Sequence, residues 1–146
     1  MNPVLFTTGY EQHADPAALI ASLNVAGVLR LVDVRELPLS RRRGFSKSRL
    51  SDALANAGIR YEHERGLGNP KPLRDLYKSG RQAEGEAGYR AHVRNGCAWA
   101  VDWLSGTLAD GPACLLCFEA DHTTCHRNVI VDELRARVPA LRIQHL

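Results

Sequence analysis

Apolar positions along the chain fall into short, nearly unbroken runs separated by stretches with helical spacing. Val4 to Thr8 is an apolar, β-branched run that stops at Gly9, and Asp15-Pro16 then supplies a helix cap and a first-turn proline. This predicts a strand followed by a helix over residues 16–26. Gly27 ends the helix, and Val28 to Arg35 reads as a second strand, apolar enough to be largely buried and finishing on charge. After a basic loop from Glu36 to Gly44, Ser46 caps a predicted helix in which Leu50, Ala53, Leu54 and Ala57 recur at helical spacing, closed by Gly58. Ile59 to Glu64 alternates weakly as a third strand, and Gly66 to Pro72 is a loop long enough to carry function. The pattern continues with a helical turn over 73–79 and a long helix over 86–108 that buries Trp99, Trp103 and Leu104. A fourth strand from Pro112 to Phe118, a helix over 126–138 and a last strand from Leu141 to Leu146 complete the chain. Alternating strands and helical connections predict one α/β domain over residues 1–146, with about five mainly parallel strands flanked by helices on both faces.

Composition narrows the class. At 146 residues, 45% apolar and 24% charged, the chain has the make-up of a globular domain rather than a disordered, collagen-like or coiled-coil one. No run approaches the roughly 20 apolar residues needed to cross a bilayer. Met1 to Phe6 has neither the basic start nor the apolar length of a signal peptide, so a cytoplasmic location without membrane partners is expected. The net charge of +3 permits an anionic ligand without requiring one. Of 19 cationic residues only Lys47, Lys71 and Lys78 are lysine, and the arginine excess suits bidentate phosphate contacts, although base composition alone explains such a skew. Four cysteines, Cys97, Cys114, Cys117 and Cys125, are too few for a disulfide scaffold, and reduced thiols are expected.

In open parallel sheets ligands bind beyond the carboxyl ends of the strands, and here those ends are unusually polar. The first strand delivers Thr8, Gly9 and Tyr10, the second Asp33 and Arg35, and the fourth Glu119, followed by Cys125, His126 and Arg127 at a helix start. Asp33 and Arg35 share one face of their strand, where the carboxylate orients the guanidinium or serves as a base; a structural salt bridge is the alternative, and the sequence leaves both open. Arg41, Arg42 and Arg43, with Lys47 and Arg49, form the densest positive cluster, just before a helix N-terminus. It suits a phosphate or nucleic-acid backbone, with Phe45 stacking on a base, or it is a solvated loop pinned by Phe45.

Cys114 and Cys117 form a C-x-x-C, but an odd separation within a strand turns their thiols to opposite faces, which argues against a zinc knuckle and for two small buried apolar groups. Cys125 differs. A thiol at a helix N-terminus beside His126 and Arg127 is in an environment that lowers a cysteine pKa. It is read either as a nucleophile, with Glu119 or His122 as acid or base and Arg127 on the developing anion, or as a packing residue.

Thr8-Gly9-Tyr10, Leu31-Val32-Asp33-Val34-Arg35 with Pro38-x-Ser40-Arg41 and Phe45, Gly58-Ile59-x-Tyr61, Leu67-Gly68, and Leu116-Cys117-Phe118-Glu119 with Cys125-His126-Arg127 together resemble the family called domain of unknown function 488, almost end to end. The resemblance implies one α/β domain and no particular activity. Where that family commonly has Gly-His-Ser, this chain has Gly9-Tyr10-Glu11, so no histidine role carries over there; Asn69-Pro70 follows Leu67-Gly68 where another glycine is usual. The strand-ending Asp33-x-Arg35 and the strand–loop–helix cysteine are also similar in layout to rhodanese-type domains, a likeness of architecture that assigns no sulfur transfer.

The expectation from sequence is an anion-binding site formed by Thr8, Gly9, Tyr10, Arg35, Ser40, Arg41, Phe45 and Arg127, with Asp33, Glu119, Cys125 and His126 as the reactive groups and neither cofactor nor metal. Its ligand would be a nucleotide, a nucleic acid or another phosphorylated molecule. A non-catalytic module binding nucleic acid or protein through residues 41–49 is the alternative, and rhodanese-like sulfur or redox chemistry at Cys125 is a third.

Overall fold

The computed structural model describes Asn2 to Leu146. Five strands, β1 (Val4–Gly9), β2 (Arg30–Asp33), β3 (Arg60–His63), β4 (Ala113–Cys117) and β5 (Arg142–His145), pair in the order β3-β2-β4-β1-β5. Every pairing is parallel. The helices are α1 (Pro16–Ala26), α2 (Lys47–Asn56), α3 (Lys71–Lys78), α4 (Gln82–His92), α5 (Ala98–Thr107) and α6 (Arg127–Arg137), with one π-helical turn, Val93–Cys97, joining α4 to α5.

Parallel crossovers are right-handed, so the strand order decides which face each helix covers. The connections leaving β1 and β2 run toward β3 and put α1 and α2 on one face. Those leaving β3 and β4 run the other way and put α3 to α6 on the other face. The strand residues divide accordingly: Phe6, Leu31, Cys114 and Leu116 pack with Leu19, Leu23, Leu50 and Leu54 of α1 and α2. Leu5, Val32, Leu115 and Cys117 pack with Tyr89, Val101, Leu104, Val129 and Ile130 of α4, α5 and α6. This is the expected three-layer α/β/α domain. The outgoing connections of the neighbours β2 and β4 diverge, and a crevice opens beyond their carboxyl ends, where such sheets bind ligands.

Local chemistry sets the boundaries. Asp15 Oδ1 accepts from the Ala18 N–H at 2.8 Å, Pro16 opens α1, and Gly27 closes it in the left-handed region at φ 75°. Ser46 occupies the N-cap of α2, but its hydroxyl accepts from Ser40 N at 3.0 Å instead of from the helix, so it staples the basic loop. The helix expected from residue 86 starts at Gln82, and the expected turn over 73–79 is the full helix α3. Trp99 was expected on the buried side and is 56% exposed, whereas Trp103 packs against the core and Leu104 is buried.

Candidate functional site

Two polar assemblies form where β2 and β4 end. In the first, Asp33 is fully buried, and Arg35, two residues on, folds back over it: Nε donates to Oδ1 at 2.9 Å and Nη2 to Oδ2 at 2.7 Å. Tyr61 of β3 donates its hydroxyl to Oδ2 at 2.5 Å, and burial beside that carboxylate pushes the phenol well up. His63 Nε2 meets the Arg35 carbonyl at 2.7 Å, and the guanidinium lies over the Tyr10 ring, 5.3 Å from its centroid. These contacts hold Arg35 in one rotamer. Burial pulls the guanidinium down, but its hydrogen bonds and charge pairing with Asp33 win and raise it above its usual range. Asp33 is thereby occupied with positioning Arg35.

The second assembly is a thiol pair. β4 ends at Cys117, turned toward the α6 face, and the turn before α6 brings Cys125 Sγ to 2.7 Å from Cys117 Sγ. His126 hydrogen-bonds the Val34 carbonyl through Nε2 at 2.8 Å, leaving Nδ1 facing Cys125 Sγ at 3.5 Å. Burial pushes the Cys125 thiol up, yet the hydrogen bond from Cys117 and the charges of His126 and Arg127 outweigh it and bring Cys125 well below an ordinary cysteine. His126 moves the opposite way: burial lowers it, and the facing thiolate raises it above its usual value. These opposed shifts favour a thiolate facing an imidazolium, the environment that activates a cysteine. Burial, followed by the hydrogen bond to Cys125, raises Cys117, whose Sγ donates to Glu119 Oε2 at 3.3 Å. Burial and then the Cys125 thiolate also raise Glu119.

Both assemblies border one cavity of about 240 Å³, lined by Arg35, Asn69, Tyr77, Glu119, Cys125 and His126 among others. Three buried polar atoms on its lining residues, Arg35 Nη1, Asn69 Oδ1 and the Tyr77 hydroxyl, have no hydrogen-bond partner among the described residues. Arg35 is 7% and Asn69 3% exposed, so water in bulk does not serve them. Arg74 also lines the cavity but is paired with Glu36 at 2.8 Å. The donor atoms of Cys117, Glu119 and Cys125 lie within 4.8 Å of one another, a spacing that admits a metal ion. The thiols touch, however, about 1 Å closer than two sulfurs on one tetrahedral zinc, whose Zn–S bonds are near 2.3 Å. They are placed as a thiol pair.

Of the residues expected to bind ligand, Arg35 reaches the cavity, and Glu119, Cys125 and His126 join it from the reactive set. The others stand elsewhere. The Thr8 hydroxyl is held by His13, Gln12 and Leu146. A Cβ on Gly9 would lie 1.7 Å from the Glu119 carbonyl oxygen, so Gly9 is where β1 and the β4 loop touch. Tyr10 and Phe45 stack with centroids 4.7 Å apart in the buried core, and Ser40 Oγ accepts from Arg42 N within the basic loop. Arg41 is exposed and borders none of the main cavities. Arg127 lies behind the cavity wall: Nη2 donates to the Glu119 carbonyl at 2.5 Å and Nη1 to Thr7 Oγ1 at 3.5 Å. It therefore acts on Cys125 through its field. His122 stacks on His145 with centroids 3.4 Å apart, away from the thiols.

Sequence reasoning missed Tyr61, Asn69, Tyr77 and the role of Cys117. The opposite-face argument held, since Cys114 packs under α1 and α2 while Cys117 faces α6. It did not extend to what Cys117 would meet there.

No curated protein and no solved structure matches the chain. The family model described as domain of unknown function DUF488 matches residues 15–134, most of the chain and all of the crevice, so the protein belongs to the DUF488 family.

Proposed function

We propose that the protein is an enzyme that binds a small phosphorylated molecule, on the scale of a mononucleotide, at the carboxyl ends of β2 and β4 and attacks it with Cys125. The observation that carries this reading is Arg35 Nη1: a buried, rigidly held guanidinium N–H with no partner, on a residue that lines the same cavity as Cys125 and His126. A buried donor left unpaired costs about 1–3 kcal/mol, which an incoming phosphate oxygen relieves. The Tyr77 hydroxyl adds a second donor and Asn69 Oδ1 an acceptor for a ligand hydroxyl or amine. At about 240 Å³ the cavity suits a small ligand rather than a duplex. In the reaction the Cys125 thiolate, stabilised by His126, forms a bond to the ligand's electrophilic centre as the bond to its leaving group breaks, and Glu119 gives its proton to the group that departs. A reducing cytoplasmic location keeps all four cysteines as thiols, the state in which they stand here.

The test is thermal shift with inorganic phosphate, mononucleotides, single- and double-stranded DNA, and RNA. Ligand at 100 times its Kd stabilises by about 2.7 kcal/mol. At roughly 2–4 °C per kcal/mol for a chain near this size, that is a rise of about 5–10 °C. The rise should vanish in Tyr77→Phe and Arg35→Lys, which keep the packing and the charge respectively. Loss of turnover in Cys125→Ser, once a ligand is found, separates nucleophile from binding group.

A second reading has one observation of its own. Arg43, Lys47 and Arg49 are exposed, form no ion pair among the described residues, and line a shallow groove with Leu39 and Gly44. Nucleic-acid binding there would weaken steeply with salt and would not respond to Tyr77→Phe.

A further inference from the structure

The chemistry proposed above leaves one buried nucleophile unused. Cys117 ends β4 with its thiol in contact with Cys125, 2.7 Å away and inside van der Waals separation, at the border of the cavity. We propose that Cys117 is the resolving partner of Cys125 and that the pair reduces a small hydroperoxide entering this cavity. The inference rests on Cys125 being the nucleophile of the proposed site and adds a redox activity to it.

Four features converge on this assignment. Both thiols are free, and both belong to buried residues that border the cavity, the route by which a small oxidant would approach them. Glu119 Oε2 accepts from the Cys117 thiol at 3.3 Å and is in place to take its proton. No other cysteine competes: Cys114 packs on the opposite face of the sheet, and Cys97 sits 3.6 Å from His92 at the π turn. Finally, Arg35 and Tyr77 line the cavity and each carries a buried donor without a partner, Nη1 and the hydroxyl, groups suited to polarise a peroxide oxygen as it leaves.

The steps balance. The Cys125 thiolate attacks one oxygen of the hydroperoxide, an S–O bond forms, the O–O bond breaks, and the departing oxygen leaves as alcohol or water after taking a proton from the site. Cys125 is now a sulfenic acid. Cys117 gives its proton to Glu119 and attacks the Cys125 sulfur; the S–S bond forms, the S–O bond breaks, and water leaves with that proton. Two thiols and one hydroperoxide thus become one disulfide, one water and one alcohol or second water. A low-molecular-weight dithiol supplied from outside returns the pair to thiols by exchange.

Reduced protein, stripped of metal with a chelator, is given one equivalent of hydrogen peroxide under argon, alkylated, and cleaved after glutamate. Cleavage after Glu119 separates Cys117 from Cys125, so their disulfide is read by mass as a cross-linked peptide pair. The expected result is that cross-link as the main product in wild type and in Cys114→Ser, reversed by dithiothreitol. Cys117→Ser should instead stop at a sulfenic acid on Cys125, trapped by dimedone, and Cys125→Ser should consume no peroxide at this site. Dimedone labelling of Cys125 in wild type with Cys117 still alkylatable overturns the proposal. So does zinc purifying at one equivalent and protecting both thiols. The anion reading is scored separately, by the phosphate thermal shift of Cys117→Ala, which cannot close the disulfide: a shift without a wild-type cross-link refutes only the thiol pair, and a cross-link without any shift refutes only the phosphate cradle.

Discussion

Replacing Asp33 by asparagine tests whether the cavity depends on the ion pair beneath it. The carboxylate is fully buried and accepts four hydrogen bonds, from Arg35 Nε, Nη2 and backbone N–H and from the Tyr61 hydroxyl. Asparagine keeps the shape but removes the charge and one acceptor oxygen, leaving a guanidinium that is itself 7% exposed without a counter-charge. Breaking a buried pair from one side typically costs about 3–5 kcal/mol, a large share of the roughly 5–15 kcal/mol that holds a domain together. At roughly 2–4 °C per kcal/mol the melting temperature should fall by about 6–20 °C, and the urea midpoint should fall without a change in slope. Tyr61→Phe, which removes only one bond to the carboxylate, should cost about 1.5–3 kcal/mol. The pairing is isolated by Arg35→Leu alone and combined with Asp33→Asn: with both charges removed neither partner is left as an uncompensated buried charge, so the double variant should be more stable than the sum of the single losses predicts. Strict additivity, or a loss below about 1 kcal/mol in Asp33→Asn, would refute the view that this pair is what fixes Arg35.

Alkylation of Cys125 by iodoacetamide should stay fast well below the pH at which an ordinary cysteine loses reactivity, and His126→Gln should move the rate profile to higher pH; stopped-flow rates from pH 4 to 10 read both. Gly9→Ala should destabilise by about 1–3 kcal/mol, because its Cβ must push back the Glu119 backbone, and the fall should appear in urea unfolding together with slower Cys125 alkylation. Burial, followed by the stacked His122, holds the His145 imidazole down at about 4, so an NMR titration should place its midpoint there, and His122→Ala should raise it. Because the unfolded chain takes up that proton near 6.5, the histidine's contribution is intact above that pH and is lost as pH falls toward 4. Tyr89→Phe should cost about 1 kcal/mol in urea unfolding, since its buried hydroxyl donates to the Leu67 carbonyl at 2.8 Å.

The sheet was legible because its information is local. Asp15-Pro16, Gly27 and Gly58 mark boundaries by capping and conformation, and runs such as Ala113–Cys117 can only be buried strands. The start of α4 was hidden for a physical reason. Gly85 argues against a helix by propensity, yet a Cβ on it would meet the Tyr77 ring at 2.9 Å, and one on Gly88, already inside the expected helix, would meet Leu73 at 2.4 Å. They are there so that α3 and α4 can pack closely, which one helix read alone does not reveal. Trp99 was misplaced because it stands in the first turn of α5, where one edge of its ring lies over Gly66 and the rest faces solvent, whereas Trp103, one turn further on, reaches the core. In the site, the strand-end rule found Arg35 and Glu119, each two residues beyond a strand, and Cys125 and His126, where the chain leaving β4 enters α6. Asn69 and Tyr77 come from the β3–β4 connection, and the meeting of Cys117 with Cys125 depends on how α6 docks; neither is written in local pattern.

The charges of the site restrict its ligand more tightly than its volume does. Arg35 is already matched by Asp33 and His126 by the Cys125 thiolate, so neither has a full positive charge to spare. Of the other cations, Arg74 is paired with Glu36, Lys78 lines the cavity with an exposed side chain and no ion pair among the described residues, and Arg127, outside the lining, hydrogen-bonds the Glu119 carbonyl, where it favours a negative sulfur. A phosphate bearing two charges and placed against the sulfur would compete with the thiolate for the same field and raise its pKa, suppressing the nucleophile that is to attack it. Under the proposed chemistry the anionic end of the ligand therefore sits toward Arg35, Tyr77 and Lys78, with a neutral or singly charged electrophile toward Cys125. A neutral hydroperoxide meets the same condition without an anionic end, which is why one cavity is compatible with both proposed activities.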